Sequence, residues 1–370
     1  MISTFLVPEK VITGAGCLKG LGAECEPLGQ RAVLVTGKSA MQRAGHTQTC
    51  TDILGEHGIA VEVFAGMEPE PDVATIDACG EAIGKFGADF VIGLGGGSAL
   101  DGAKVAAGLA RQDAPTAAFH AGEKVLGNGL PFVAIPTTSG TGSEVTNTGV
   151  ISDREKRIKK SIRHANFIAR VAMVDALLTL SVPPRITATT GIDAMVQAIE
   201  SYLSIHAYPL TETLSIGAMV ELAAALPRVV EHPDDIASRE RASYGSLMAG
   251  IALQNARLGI VHGIAHPLGI RYGIPHGLAC GILLPGALEF NRTAAAEKMR
   301  MIEHVVGAEP VGYARDLLAS CGLPQDFKEF DIPPADFEQI AAESLPSGSL
   351  KANPRPVRAE DVIFILQELC

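Results

Sequence analysis

The sequence predicts a doubly wound α/β domain followed by an all-helical domain. Three observations lead there. A chain of 370 residues is too long for one ordinary core. Short β-branched runs alternate with helix-period stretches through its first half. After Pro183-Pro184 the strand-like runs stop, and helix-period apolar residues broken by Gly and Pro continue to Cys370. The boundary is expected near residue 180, giving a first domain of residues 1–180 and a second of residues 181–370.

Each element follows from its own pattern. Ala32–Thr36, Ala60–Phe64, Phe90–Leu94 and Phe132–Pro136 are continuous apolar runs, as strands buried on both faces of a parallel sheet require. Helical stretches lie between them around Ala40–Leu54, Val73–Phe86 and Ala99–Ala110. Thr148–Ile151 and Val171–Val174 read as two further strands flanking a basic stretch, Arg154–Lys160. In the second half the long helices are Arg185–Ser204, Glu212–Val230, Ile236–Ala256, His276–Phe290 and Ala294–Val306. The segment around His262 is left open between helix and loop.

Composition excludes several function classes. The net charge is −11 and pI about 5.4, and no basic cluster exceeds Arg154–Lys160, which argues against nucleic acid as a partner. Mean hydropathy is +0.24, pointing to large buried surfaces. No uninterrupted apolar run reaches the roughly 18 residues of a membrane span. Met1–Lys10 lacks a basic region leading into an apolar stretch, so no signal peptide is expected. The seven cysteines (Cys17, Cys25, Cys50, Cys79, Cys280, Cys321 and Cys370) are scattered, odd in number and without a C-x-x-C pair. That pattern suits a reducing cytoplasm rather than a disulfide framework or a cysteine zinc site.

Two loops carry a binding signal. Gly95-Gly96-Gly97-Ser98 follows the strand Phe90–Leu94 and opens a helix containing Asp101 and Lys104. Glycines let backbone approach a phosphate, and a helix N-terminus offers free N–H groups to an anion. The spacing is not G-x-G-x-x-G, and a tight strand-to-helix turn would use the same residues. Position after a buried strand favours the phosphate role. A second loop, Pro136–Thr146, follows the next strand with glycines and small hydroxyl residues that can contact phosphate, ribose and carboxamide groups.

A metal constellation stands in the helical half. His262, His266 and His276 fall inside fifteen residues of a chain with ten histidines. His262 and His266 share a face if their segment is helical, and Asp193 and Gln197 do so by the same i, i+4 spacing. A carboxylate and imidazoles from separate helices can hold a divalent ion in a bundle core. A lone buried histidine is usually a hydrogen-bonded core residue, so spacing alone leaves both readings open.

Taken together these stretches resemble the iron-containing (group III) alcohol dehydrogenase family. The matching segments are Phe5–Gly14, Gly95–Lys104, Pro136–Thr146, Gly191–Ala194 and His262–Gly269 through Pro275-His276-Gly277, in family order along most of the chain. The resemblance implies a Rossmann-like N-terminal domain, an all-α C-terminal domain in a dehydroquinate synthase-like architecture, and a cofactor cleft between them. It assigns the dinucleotide phosphates to Gly96, Gly97 and Ser98, with Gly95 and Asp101 of the same motif counted among the cofactor-binding residues. Further cofactor contacts fall to Thr137, Thr138, Thr141, Thr146, Lys159 and Leu178. Metal ligands would be Asp193, His262 and His276, with His266 beside nicotinamide and substrate.

Three departures from the family pattern matter. Its alcohol dehydrogenases usually place histidine four residues after the aspartate, where this chain has Gln197, a neutral and weaker donor. NAD-preferring members often carry an acidic residue after the strand Ala32–Thr36; here stand Gly37, Lys38 and Ser39, which favours or at least permits NADP. Arg271 lies between the metal histidines, where an uncharged residue is expected; it is read as pairing with an acidic neighbour such as Glu200 rather than binding substrate.

The expected function is hydride transfer between NAD(P)(H) and a small primary alcohol or aldehyde, assisted by Fe²⁺ or Zn²⁺, in a cytoplasmic homodimer without nucleic-acid or membrane partners. Asp193, His262 and His276 would hold the ion with Gln197 as a possible fourth contact, and His266 would relay the hydroxyl proton. The rivals are a metal-free reductase of an acidic ketone or aldehyde using Arg271, a cyclase or polyol-phosphate enzyme related to dehydroquinate synthase, and a nucleotide-binding protein that has lost catalysis. The Pro136–Thr146 loop argues against the cyclase.

Overall fold

The computed structural model describes residues 3–156 and 158–370. Met1 and Ile2 of the N-terminal segment and Arg157 of the basic stretch lie outside the described residues. The chain divides into two compact units: Val7–Thr138 with Gly142–Ser181, and Val182–Cys370 with Ser139–Thr141 and the N-terminal segment ending at Leu6.

The first unit is α/β. Its elements are β1 (Lys10–Thr13), α1 (Leu21–Cys25), β2 (Arg31–Gly37), α2 (Ala40–Arg43), α3 (His46–Glu56), β3 (Ala60–Met67), α4 (Val73–Phe86), β4 (Phe90–Gly95), α5 (Gly97–Leu109), α6 (Thr116–Ala121), β5 (Phe132–Pro136), β6 (Thr148–Asp153), β7 (Ile158–Arg163) and β8 (Val171–Val174). Six strands form one sheet in the order β1-β8-β5-β4-β2-β3, every pair parallel. The strands are apolar throughout because both faces are covered. Ala32 and Leu34 of β2 pack with α1 and α3 through Leu21, Cys25, Cys50 and Leu54. Val33 and Val35 turn to the other face, against α4 and α5 through Ile76, Ile83, Leu100 and Ala103. β6 and β7 pair antiparallel in a separate ribbon.

Several elements differ from the sequence expectation. The stretch Ala40–Leu54 is two helices, broken where Gly45 adopts a left-handed φ of 79°. β1 was not expected; only four residues long, it pairs with β8 alone at the sheet edge. The second half of the basic stretch is β7, whose mostly exposed ribbon carries no apolar run to signal it.

The second unit is helical: α7 (Pro184–Leu203), α8 (Pro209–Glu231), α9 (Ile236–Ala256), α10 (Ile260–Tyr272), α11 (His276–Asn291), α12 (Ala296–Val306), α13 (Pro310–Ser320), α14 (Phe337–Ser344) and α15 (Ala359–Leu369). One core joins α7, α8, α10, α11, α13 and α15 through Ile192, Leu222, Ile264, Leu283, Leu318 and Ile365. By length and composition α8 meets the test for a membrane span that the unbroken-run criterion did not flag, because Glu212 and Glu221 interrupt it. Its Ser215–Leu222–Leu226–Val229 stripe is buried, with Leu222 against Gly245 of α9 and Leu226 against Gly191 of α7, so that face is a core face.

Candidate functional site

Chemistry-bearing residues gather in two groups, one in each unit. In the sheet unit, β4 ends at Gly95, whose φ of 150° only glycine adopts freely, and α5 begins two residues later. The first-turn N–H groups of α5 lie at the carboxyl end of the parallel sheet, where an anion is stabilised. The loop after β5 is tied to this turn: the Thr137 N–H donates to the Gly95 carbonyl at 3.0 Å, and Thr138 lies beside Gly96. Ser98 Oγ accepts from the Glu70 N–H at 3.3 Å, and the Glu70 carboxylate pairs with Lys159. The structure therefore brings Gly95, Gly96, Gly97, Ser98, Thr137, Thr138 and Lys159 together, with Glu70 as an unforeseen bridge.

Other expected contacts are engaged in holding the loop. Asp101 accepts from Ser143 Oγ at 2.5 Å and from the Val150 N–H at 2.9 Å. Thr146 Oγ1 accepts from Lys104 Nζ at 3.0 Å. Lys104, fully buried, also donates to the carbonyls of Ser143 (2.6 Å), Thr146 (3.1 Å) and Thr148 (3.0 Å) and stands 3.5 Å from Asp101. Leu178 is buried in the core on the α1–α3 side. Thr141 belongs to the helical unit by its contacts. Gly37 closes β2, Lys38 is exposed, and Ser39 accepts a hydrogen bond from the Arg43 guanidinium one turn on.

In the helical unit, α7 presents Asp193, Gln197 and Glu200 at i, i+4 and i+7, all buried. α10 supplies His262 and His266, and α11 supplies His276 and Cys280. The first turn of α11 rests directly on α7: a Cβ on Gly277 would stand 2.1 Å from the Thr189 carbonyl oxygen, so only glycine permits this approach. That contact puts His276 Nε2 3.8 Å from Asp193 Oδ1, while His262 Nε2 stands 3.3 Å from the same oxygen. His266 meets His276 edge to face, ring centroids 5.3 Å apart.

Glu200 fixes the ring of His262. Its Oε2 lies 2.7 Å from His262 Nδ1, and its other oxygen accepts from the Val261 N–H at 2.6 Å. A proton on Nδ1 leaves Nε2 with its lone pair towards Asp193, the carboxylate–histidine arrangement that orients metal ligands. Glu200 is therefore not the partner of Arg271, as the sequence reading had it. Arg271 instead forms a two-point pair with Glu343 of α14, 2.8 and 2.5 Å. Glu343 is 72 residues away, beyond the reach of spacing arguments.

The residues fit a divalent cation. Asp193 Oδ1, Gln197 Oε1 and His262 Nε2 are buried without hydrogen-bond partners, an expensive state that a cation relieves. Ligand atoms of Asp193, His262, His276 and Cys280 all lie within 4.8 Å of one another. Burial opposes charge at each group, yet His276 and His262 hold Asp193 below the ordinary carboxylate value. Against the same burial, Cys280, Asp193 and Glu200 hold His262 well above the ordinary imidazole value. The cluster attracts positive charge. Cys280 and Glu200 were missed by sequence reasoning; the available signal was their helical spacing, i+4 from His276 and i+7 from Asp193.

Comparison with known proteins agrees along the whole chain. Residues 8–176 match the family described as iron-containing alcohol dehydrogenase, and residues 187–370 match the C-terminal part of the Fe-containing alcohol dehydrogenase family. Long-chain-alcohol dehydrogenase 1 of Geobacillus thermodenitrificans (strain NG80-2) is 35% identical over 99% of this chain and 96% of its own length. A crystal structure of 1,3-propanediol oxidoreductase superposes with a TM-score of 0.97 at 30% identity, covering 100% of both chains. The sulfoacetaldehyde reductase of Bifidobacterium kashiwanohense, solved in complex with NAD⁺, superposes with a TM-score of 0.93 at 31% identity, covering 100% of this chain and 99% of that one.

Proposed function

Since the chain belongs to the iron-containing alcohol dehydrogenase family, and is an alcohol dehydrogenase or aldehyde reductase, we propose that it exchanges hydride between NAD(P)(H), with NADP(H) favoured, and a small primary alcohol or aldehyde with a divalent ion on Asp193, His262 and His276. The observation that carries the metal role is the trio of buried atoms without partners around Asp193.

When bound, the ion supplies polarisation of the substrate oxygen and the nicotinamide supplies or accepts the hydride. The protein's own part is positional. Asp193 brings negative charge from α7, and Glu200 holds His262 in the tautomer whose Nε2 donates to the ion. His266, in ring contact with His276 and partly exposed, carries the substrate hydroxyl proton to solvent. Gly95–Ser98 and the N-terminus of α5 take the pyrophosphate; Thr137, Thr138, Thr141, Lys159 and Leu178 are assigned to the rest of the nucleotide. Seven free cysteines support a reducing compartment, the cytoplasm. Arg271, engaged by Glu343, offers no support to a metal-free reductase anchored on that guanidinium.

The test is metal analysis of the purified protein coupled to an aldehyde panel with NADH and NADPH. Full turnover after metal stripping would refute the metal role.

NADP(H) is favoured because Gly37, Lys38 and Ser39 follow β2 at the turn where NAD-preferring relatives often carry a carboxylate that would repel a 2′-phosphate. Gly37→Asp is expected to move the ratio of kcat/KM values towards NADH, by roughly tenfold or more for about 1.4 kcal/mol of added repulsion. An unchanged ratio would show that this turn does not read the ribose.

A further inference from the structure

We propose that Cys280 is the fourth metal ligand of this protein, as a thiolate, standing in for the donor that Gln197 supplies only weakly. This rests on the reading that Asp193, His262 and His276 hold a divalent ion.

The argument is geometric. Donors about 2.0–2.3 Å from a tetrahedral ion stand about 3.3–3.8 Å from one another. Here His262 Nε2 to Asp193 Oδ1 is 3.3 Å, His276 Nε2 to Asp193 Oδ1 is 3.8 Å, and Cys280 Sγ to His276 Nε2 is 3.7 Å. These three separations match edges of one coordination tetrahedron, and the remaining three are all within 4.8 Å. Cys280 is fully buried, and it shares a face of α11 with His276 one turn away. Among the described residues, this is the one group of histidine, cysteine and carboxylate atoms that comes so close. The unpartnered Asp193 Oδ1 and His262 Nε2 point independently to the same ion.

Chemistry separates the two candidates for the fourth place. Gln197 offers a neutral amide oxygen, a hard and weak donor. A cysteine thiol gives its proton to solvent on binding and becomes an anionic, soft donor. With an Asp–His–His–Cys set the site should prefer Zn²⁺ and Co²⁺ to Mn²⁺ and Mg²⁺, which favour oxygen. Gln197 remains beside the ion as a hydrogen-bond acceptor.

The experiment uses Co²⁺ as the probe. The metal-stripped, full-length protein is titrated with Co²⁺, binding is followed by calorimetry, and the absorption spectrum is recorded at each point. The expected result is a near-ultraviolet sulfur-to-cobalt charge-transfer band that saturates at one ion per chain. Cys280→Ser and Cys280→Asn should lose the band and bind Zn²⁺ at least about tenfold more weakly, whereas Gln197→Ala should keep it. Stoichiometric Co²⁺ binding without the band in wild type, or a band that survives Cys280→Ser, overturns the sulfur ligand and leaves the three-residue site standing. No Co²⁺ binding by wild type at all overturns both. The wild-type spectrum decides even if a variant fails to fold.

Discussion

Asp193→Asn is expected to leave a folded chain that retains no divalent ion and turns over about 10²–10³-fold more slowly in kcat/KM. Asn keeps the volume but removes the one anionic oxygen facing both His262 and His276. Polarisation of a substrate oxygen by a metal contributes several kcal/mol, and each 1.36 kcal/mol is tenfold in rate, which sets the magnitude. The proposed nucleotide group lies on other elements, so NAD(P)H binding should persist. Metal content by mass spectrometry and cofactor affinity by fluorescence check the two halves of the expectation. A variant with wild-type metal content would remove Asp193 from the site.

The second large effect is expected from a residue that touches no ligand. Gly277→Ala adds a methyl group where the Thr189 carbonyl oxygen already stands, 2.1 Å from the new Cβ. Backbone cannot yield as a side-chain tip would, so the first turn of α11 must withdraw from α7 by roughly an ångström, carrying His276 with it. A displacement of that size costs on the order of 10² in rate, and overpacking costs about 1–3 kcal/mol in stability. Gly286→Ala on the same helix is the control. Its Cβ would meet Ile365 at an ordinary 3.4 Å, so metal affinity and activity should hold. Equal metal affinity in the two variants would show that α11 does not need its close seat on α7.

How much of this was readable beforehand depends on the range of the forces involved. The interior strands β2, β4 and β5 were legible because burial on both faces leaves an unbroken apolar run. Helix α4 matched from Val73 to Phe86, framed by the Asp72 cap and the left-handed Gly87. The segment α10 was ambiguous, since Gly263, Pro267 and Gly269 lower its helix propensity and only tertiary packing holds it. The same division runs through the metal group. The local pairs Asp193–Gln197 and His262–His266 were visible as spacings, and their meeting with His276 is a property of helix packing. Cys280 was set aside because sequence rules look for cysteine pairs; its i+4 spacing from His276 was the one local signal, and its approach to the second imidazole comes only from helix packing. Arg271 was matched to the wrong carboxylate because its partner, Glu343, sits on a helix that spacing cannot bring near.

The buried Lys104 bears on how the proposed nucleotide site would respond to its ligand. One ammonium group grips three carbonyls and a hydroxyl of the segment 143–148, from a helix whose first turn is the proposed phosphate cradle. Releasing that segment would remove four of the ammonium's partners at once and leave it Asp101 alone, 3.5 Å away, a larger cost than an ordinary loop motion. Cradle and segment therefore behave as one stiff part, already arranged before the ligand arrives. Ordering penalties of about 0.5–1.5 kcal/mol per side chain, common in loops that tighten on their ligand, do not fall on this edge of the sheet. Differences in affinity among nucleotides should then reflect how well each fits a fixed shape, and little of the discrimination should come from the protein remoulding itself around the guest.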